Sequence, residues 1–267
     1  FVHAVPQAKW VVQANTADPQ STARNMRTAL AAAAADFLNA APPPATSANE
    51  PLDDLPLVDL TAAATRAGAE DYLAVVISGD GGWADIDRDI GDALSTQGIP
   101  VVGWDSLHYF WARRTPERAG QDLTRVIEHY LSRQPTRQLL LIGYSLGADV
   151  LPFMVNRLPK EMKDRVALVA LLGISPSMDF EFRIADWLPG KRAPAPYPTR
   201  PEVDRLAPLK VLCVYGENEK DSLCPQLIGG SVTVRRLPGG HHFDGDYRKL
   251  TRIILDTARV ARANPVG

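Results

Sequence analysis

One stretch constrains this chain more than any other: Leu139-Leu140-Leu141-Ile142-Gly143-Tyr144-Ser145-Leu146-Gly147. Its first four residues are bulky and apolar, as in a strand buried on both faces. They run straight into Gly-x-Ser-x-Gly, and residues 146–157 then read as a helix. Strand, tight turn and helix in that order form a nucleophile elbow, with Ser145 on the turn while Gly143 and Gly147 let strand and helix approach. The same pentapeptide occurs by chance in loops; here the flanking pattern supplies the context the motif requires.

The rest of the chain alternates in the same way. Residues 72–78 (YLAVVIS) are β-branched and apolar throughout, which predicts a central parallel strand. Residues 84–97 predict a helix closed by Gly98, and residues 99–104 the next strand. Thr115 caps a helix that opens at Pro116 and carries Leu123, Val126, Ile127, Tyr130 and Leu131 on one face. Strands follow at 166–173, 209–215 and 232–237, with a last helix after Gly245. A Pro-rich, irregular excursion occupies about residues 175–208. The alternation predicts an α/β fold, a mostly parallel sheet with helices on both faces and the site at the carboxyl ends of the strands.

Upstream, residues 9–14 read as a short strand and 21–40 as an Ala-rich helix. That order repeats the end of the chain, so residues 1–41 are either the remnant of an upstream related domain or a simple appendage. Residues 42–54 read as a Pro-rich linker and 55–267 as the main domain. The first residue is Phe1, not Met, which reads as a processed protein or an excised fragment.

Charge excludes some functions. Against 31 acidic residues stand 29 Lys and Arg, and with no run of like charge nothing favours nucleic acid as a partner. The longest apolar stretch, residues 166–174, is too short to span a bilayer. Cys213 and Cys224 are too few for a zinc site and are either two thiols or one disulfide.

A serine nucleophile needs a base for its proton and an acid to orient that base. In α/β-hydrolases these follow in the order Ser, acid, His, each after a later strand. The strand ending at Tyr215 runs into Gly216-Glu217-Asn218-Glu219-Lys220-Asp221, and that ending at Leu237 into Pro238-Gly239-Gly240-His241-His242. His241, directly after Gly-Gly, is the favoured base, with His242 the alternative. Glu219 has the better spacing after Gly216; Asp221 is the second choice and Glu217 the third. Two backbone amides must face the developing oxyanion. Leu146 supplies one, and Asp80 or Gly81, in the Gly79-Asp80-Gly81-Gly82-Trp83 loop after the first long strand, supplies the other. That loop has no Lys and fits no phosphate-binding pattern.

These segments together resemble the VirJ/AcvB bacterial virulence protein family: Ser78 to Trp83, Tyr109-Phe110-Trp111, Gly143 to Pro152, Tyr215 to Cys224, and His241-His242-Phe243-Asp244, in order over about residues 55–262. The resemblance implies a periplasmic α/β-hydrolase with a cap-like excursion that frees Lys or Ala from aminoacylated phosphatidylglycerol at the membrane surface, with no cofactor. In an oxidising compartment it favours a Cys213–Cys224 disulfide. Tandem domains in some members suit residues 1–41 as a remnant, although those residues carry no elbow. An aminoacyl ester carries an ammonium beside the attacked carbonyl, so a carboxylate is expected there. Asp80 is the candidate, with Asp105 and Asp149 as others, although Asp149 on the elbow helix reads more readily as a structural contact. Trp83 and Tyr144 are further candidate substrate contacts. Aromatics at 83, 104, 109–111, 180, 182, 187 and 197 suit either a lipid-facing site or ordinary packing, the latter for most of them. Two rival readings share the pattern: a general esterase, lipase or thioesterase, and a non-catalytic periplasmic accessory protein of a secretion system. Self-association is not legible.

Overall fold

Strand by strand, the apolar runs split their side chains between two cores. The structure is a computed structural model and describes residues 52–60, 71–133, 137–181, 196–228 and 231–263. The segment 1–41 and most of the stretch read as a linker lie outside the described residues, as do Phe182 and Trp187.

The elements follow in the order β1 (Leu57–Asp59), β2 (Tyr72–Ile77), α1 (Asp85–Ser95), β3 (Val101–Trp104), α2 (Ser106–Phe110), α3 (Pro116–Arg133), β4 (Gln138–Tyr144) and α4 (Leu146–Asn156). Then come α5 (Lys160–Lys163), β5 (Val166–Leu172), β6 (Ser177–Met178), β7 (Tyr197–Pro198), α6 (Arg200–Asp204), β8 (Val211–Gly216), β9 (Thr233–Leu237) and α7 (Tyr247–Ala263). Seven strands form one sheet in the order β1-β3-β2-β4-β5-β8-β9. Only β1 runs antiparallel, against β3. β6 and β7 pair separately as a two-stranded ribbon.

In β2, Leu73, Val75 and Ile77 join one core while Tyr72, Ala74 and Val76 join the other. β4 divides likewise, Leu139 and Leu141 against Leu140 and Ile142. This two-sided burial is why both strands read as continuous apolar runs. Ile86, Ile90 and Leu94 of α1 and Leu250, Ile254 and Leu255 of α7 cover one face. Leu123, Val126 and Ile127 of α3 and Val150, Leu151 and Met154 of α4 cover the other. The fold is therefore the doubly wound α/β type the alternation predicts.

From β2 the chain moves outward to β3, then returns across to β4 on the other side of β2. That reversal opens a crevice at the carboxyl ends of β2 and β4, where ligands of such sheets bind. The two loops that meet there carry Gly79–Trp83 and Ser145.

The aromatic segment 109–111 lies on the short helix α2 and its C-terminal cap. Asp105 caps α2 by accepting the His108 N–H at 3.1 Å. Trp104, Tyr109 and Phe110 are fully buried and stack edge to face, with centroids 4.9 and 4.8 Å apart. They are packing residues, and Trp111, 41% exposed, is the exception. Beneath them Asp122 accepts the Tyr109 hydroxyl at 2.7 Å and pairs with Arg118 and Arg125. Arg125 reaches on to Asp54 at 2.8 Å, tying the segment before β1 to α3.

Candidate active site

At the end of β4 the chain turns through Ser145 at φ 52°, ψ −118° and enters α4 at once. A non-glycine residue in that region is strained, and strain there is held only by what surrounds it. The surroundings are tight: a Cβ on Gly147 would lie 2.1 Å from the Ile77 carbonyl oxygen, and one on Gly143 2.3 Å from that of Gly147. Both glycines are required, as the elbow reading holds. The Ser145 N–H donates to the Leu172 carbonyl at 2.9 Å, which fixes the turn beside the end of β5.

Gly173 follows, at φ 70°. A Cβ there would sit 2.6 Å from Cε1 of His241 and 3.2 Å from Oε1 of Glu219. The missing side chain is the space the imidazole occupies. His241 Nδ1 lies 2.5 Å from Glu219 Oε1, and Glu219 Oε2 accepts the Gly216 N–H at 2.7 Å. A turn closed by Glu219 N–H to the Gly216 carbonyl folds that carboxyl back over the strand end. Asp221 and Glu217 are exposed, so of the three acids only Glu219 meets the imidazole. The Glu219 hydrogen bond raises the His241 pKa against burial, with the charges of Glu219, Asp149 and Asp80 acting in the same direction.

The disulfide Cys213–Cys224 joins the middle of β8 to the short helical turn at Cys224–Leu227 and encloses the Glu219 loop. Both cysteines are fully buried.

His242 is exposed, and its Nδ1 lies 3.2 Å from the Tyr144 hydroxyl. Tyr144, offered above as a substrate contact, is 5% exposed and stacks on His241 with centroids 5.1 Å apart. A Cβ on Gly79 would also meet its ring, at 3.2 Å. Its ring is a spacer between two loops rather than a wall open to substrate. Trp83, partly buried, is likewise a contact between elements. Its indole lies against the backbone of Gly103 and Gly91, where Cβ atoms would approach it to 2.6 and 3.2 Å. It packs the loop onto β3 and α1.

The Gly79–Trp83 loop touches the elbow directly: the same Cβ on Gly79 would lie 3.4 Å from Ser145 Cβ. The Gly79 N–H is taken by the Asp87 carboxyl, and that of Gly82 by the Gly79 carbonyl. Asp87, 2% exposed on α1, was not anticipated. Burial, together with the nearby Asp105 charge, pushes its pKa up to about 8. Its Oδ1 has no hydrogen-bond partner among the described residues, which fits a neutral carboxyl. The signal was present, since Asp87 falls on the stripe of Ile90 and Leu94. Asp80 and Gly81 are exposed at the tip of the loop, and Leu146 opens α4, where N–H groups have no intrahelical acceptor. Asp105, one of the two other carboxyls considered, is spent on His108 and the cap of α2.

The profile of the bacterial virulence protein (VirJ) family matches residues 71–262. The chain belongs to that family. No curated protein matches it in sequence. Among solved structures it is similar to Est1E from Butyrivibrio proteoclasticus, at 13% identity over 78% of this chain and 93% of that one, with a TM-score of 0.56. The ferulic acid-bound form of Est1E gives 11% identity over 80% and 98% of the two chains and a TM-score of 0.55. At such identities the likeness is one of fold, and the fold of this VirJ-family chain is that of the α/β-hydrolases. Among the described residues, no group of three or more His, Cys, Asp or Glu side chains is gathered to hold a metal ion. No described helix is long and apolar enough to cross a membrane.

Proposed function

We propose that this protein is a serine ester hydrolase that removes the aminoacyl group from lysyl- or alanyl-phosphatidylglycerol in the periplasm. The observation that carries the reading is the imidazole of His241, held at Nδ1 by Glu219 over the glycine next to the strained Ser145 turn. Glu219 fixes the tautomer that leaves Nε2 as the acceptor. Nε2 takes the Ser145 proton as Oγ bonds to the ester carbonyl carbon, and the amides of Leu146 and of Asp80 or Gly81 hold the oxyanion. Collapse breaks the bond to the lipid oxygen, which leaves with the proton from His241. Water, giving its proton to His241, then attacks the aminoacyl-enzyme, and the amino acid departs as Ser145 regains its proton.

Two observations support a cationic acyl group. The carboxylates of Glu219 and Asp80 both act on His241, so the site is electronegative. Asp80 is exposed on the loop that touches Ser145. The buried disulfide is compatible with a periplasmic location.

A fluorophosphonate probe is expected to label the wild-type chain and not Ser145→Ala. Lysyl- and alanyl-phosphatidylglycerol in vesicles are expected to yield free amino acid, with Asp80→Asn losing more on these lipids than on a plain acyl ester. No labelling refutes the hydrolase. Labelling with plain esters cleaved and both lipids untouched leaves a general esterase.

A further inference from the structure

Where β5 ends, four successive residues each touch a different part of the site. The Leu172 carbonyl accepts the Ser145 N–H at 2.9 Å. Gly173, whose N–H makes the last bond to β8 at the Val214 carbonyl, turns the chain at φ 70° and leaves the space that the imidazole fills. A Cβ there would lie 2.6 Å from Cε1 and 2.9 Å from Nδ1 of His241. The Ile174 carbonyl accepts the Leu223 N–H at 2.8 Å, just past the loop that carries Glu219. Ser175 donates its N–H to Asp149 Oδ1 at 2.6 Å, and its hydroxyl also bonds that carboxyl. Residues 172–175 are thus the common support of nucleophile, base and acid loop.

Asp149 fixes the outer end of that support. It lies in the first turn of α4, is 7% exposed, and its own N–H donates to the Ser145 carbonyl at 3.0 Å. One residue therefore closes the first helical bond after the nucleophile and, through its side chain, holds the chain two residues beyond the imidazole's seat. The proposed reaction asks no proton of it and brings no substrate to it. Without its carboxyl the Ser175 N–H is left unpaired, and the segment gains by shifting to find another partner. The adjoining turn is made by a glycine, which resists such a shift least. The seat has no slack to absorb it, since the imidazole already fills the place of a side chain.

We infer that Asp149 is a positioning residue: by holding Ser175 it keeps Gly173 where the His241 imidazole seats, so that its effect on the reaction passes through His241. The inference rests on the ester-hydrolase reading.

The test is a double-mutant cycle on the full chain with p-nitrophenyl acetate. Asp149→Ala is expected to lower kcat by roughly ten- to a hundredfold, the scale of a catalytic group misplaced by an ångström, with KM within about threefold. Asp149→Asn, which still accepts the Ser175 N–H, is expected to return kcat to within about threefold of wild type. In a His241→Ala background the residual rate comes from the oxyanion amides and binding. There Asp149→Ala is expected to change kcat by less than about twofold, because the group it positions is gone. A merely structural role predicts the same loss with and without the imidazole. Equal losses in the two backgrounds, an unchanged kcat in Asp149→Ala, or an Asn variant as poor as Ala overturns the inference. Should Asp149→Ala fail to fold, Ser175→Ala, which removes only the hydroxyl's bond, carries the same cycle. Its expected loss is roughly three- to fivefold and vanishes without His241; no loss, or one that persists, is the overturning result. Fluorophosphonate labelling separates the two ideas. An unlabelled wild type sinks the hydrolase itself, whereas a labelled wild type with equal losses in both backgrounds sinks only the role of Asp149.

Discussion

Replacing Glu219 by Gln tests the site at its most constrained point. The carboxylate accepts from two donors at once, His241 Nδ1 at 2.5 Å and the Gly216 N–H at 2.7 Å. A glutamine has one oxygen and cannot serve both. With its NH2 toward the imidazole it selects the tautomer whose Nε2 carries a proton and cannot accept one from Ser145. With its oxygen there, the NH2 faces the Gly216 N–H, donor against donor. Selecting the wrong tautomer lowers kcat by roughly 10³- to 10⁴-fold. That is about 4–5.5 kcal/mol of transition-state stabilisation. KM should hardly change, since Glu219 touches the imidazole and not substrate. The pH profile adds an independent reading. Glu219 raises the His241 pKa, and the base works only when neutral, so the acid limb of wild-type kcat/KM should lie above the ordinary imidazole value. In Glu219→Gln the limb moves to lower pH. The sign for stability is opposite: the contact's contribution is fully present below the unfolded-state pKa and is lost as pH rises through the higher folded-state one. Stopped assays on p-nitrophenyl acetate from pH 5 to 9, with urea unfolding at the same pH values, measure both. A variant that keeps more than about a tenth of wild-type kcat, or an unmoved acid limb, refutes the argument, because neither is compatible with a lost tautomer lock. So does a collapse of activity in Asp221→Asn, whose carboxyl is exposed.

Gly147→Ala places a methyl group 2.1 Å from the Ile77 carbonyl oxygen. It should cost ~3 kcal/mol or more, read as a lowered urea midpoint or as insoluble protein. Cys213→Ser with Cys224→Ser removes a closure spanning 11 residues. By chain entropy this should lower stability by ~2–3 kcal/mol, and it should reduce kcat more than it raises KM, because the freed loop carries Glu219. Asp87, with its folded pKa near 8 and a lower one unfolded, makes the wild type less stable as pH rises between them. Asp87→Asn removes that decline, so relative to wild type it should gain ~1–3 kcal/mol between pH 5 and pH 8; parallel stability curves would contradict the assignment.

What the chain shows on reading is what repeats or what is bounded by strand ends. β2 and β4 were legible because burial on both faces leaves unbroken apolar runs, and α3 because Thr115, Pro116 and a one-sided stripe mark it. β1, β6 and β7, of two or three residues each, are too short for any period to register. α2 was missed because its five residues are held by a cap from Asp105 rather than by a stripe. At the site, the order Ser145, Glu219, His241 could be read because each follows its own strand. Choosing among neighbours required the turn that folds Glu219 back to Gly216 and leaves Asp221 outside.

The contacts the sequence does not show share one physical property: each joins two different elements or loops. Tyr144 at the end of β4 meets the His241–His242 loop, Trp83 spans Gly91 and Gly103, Asp87 on α1 takes the Gly79 N–H, and Asp149 on α4 takes that of Ser175. None of these pairs leaves a spacing in the chain, because a cross-element contact is fixed by the sheet's winding and not by local period. Yet they decide where the reactive groups stand. The Gly79–Trp83 loop, the His241 loop and the chain after β5 each emerge from a different strand, and each is held by a side chain from elsewhere. Placement at this site is therefore a property of those ties. A substitution at Asp87 or Tyr144, neither of which the proposed reaction uses, displaces the loop that carries the proposed oxyanion amide or the one that carries the proposed base.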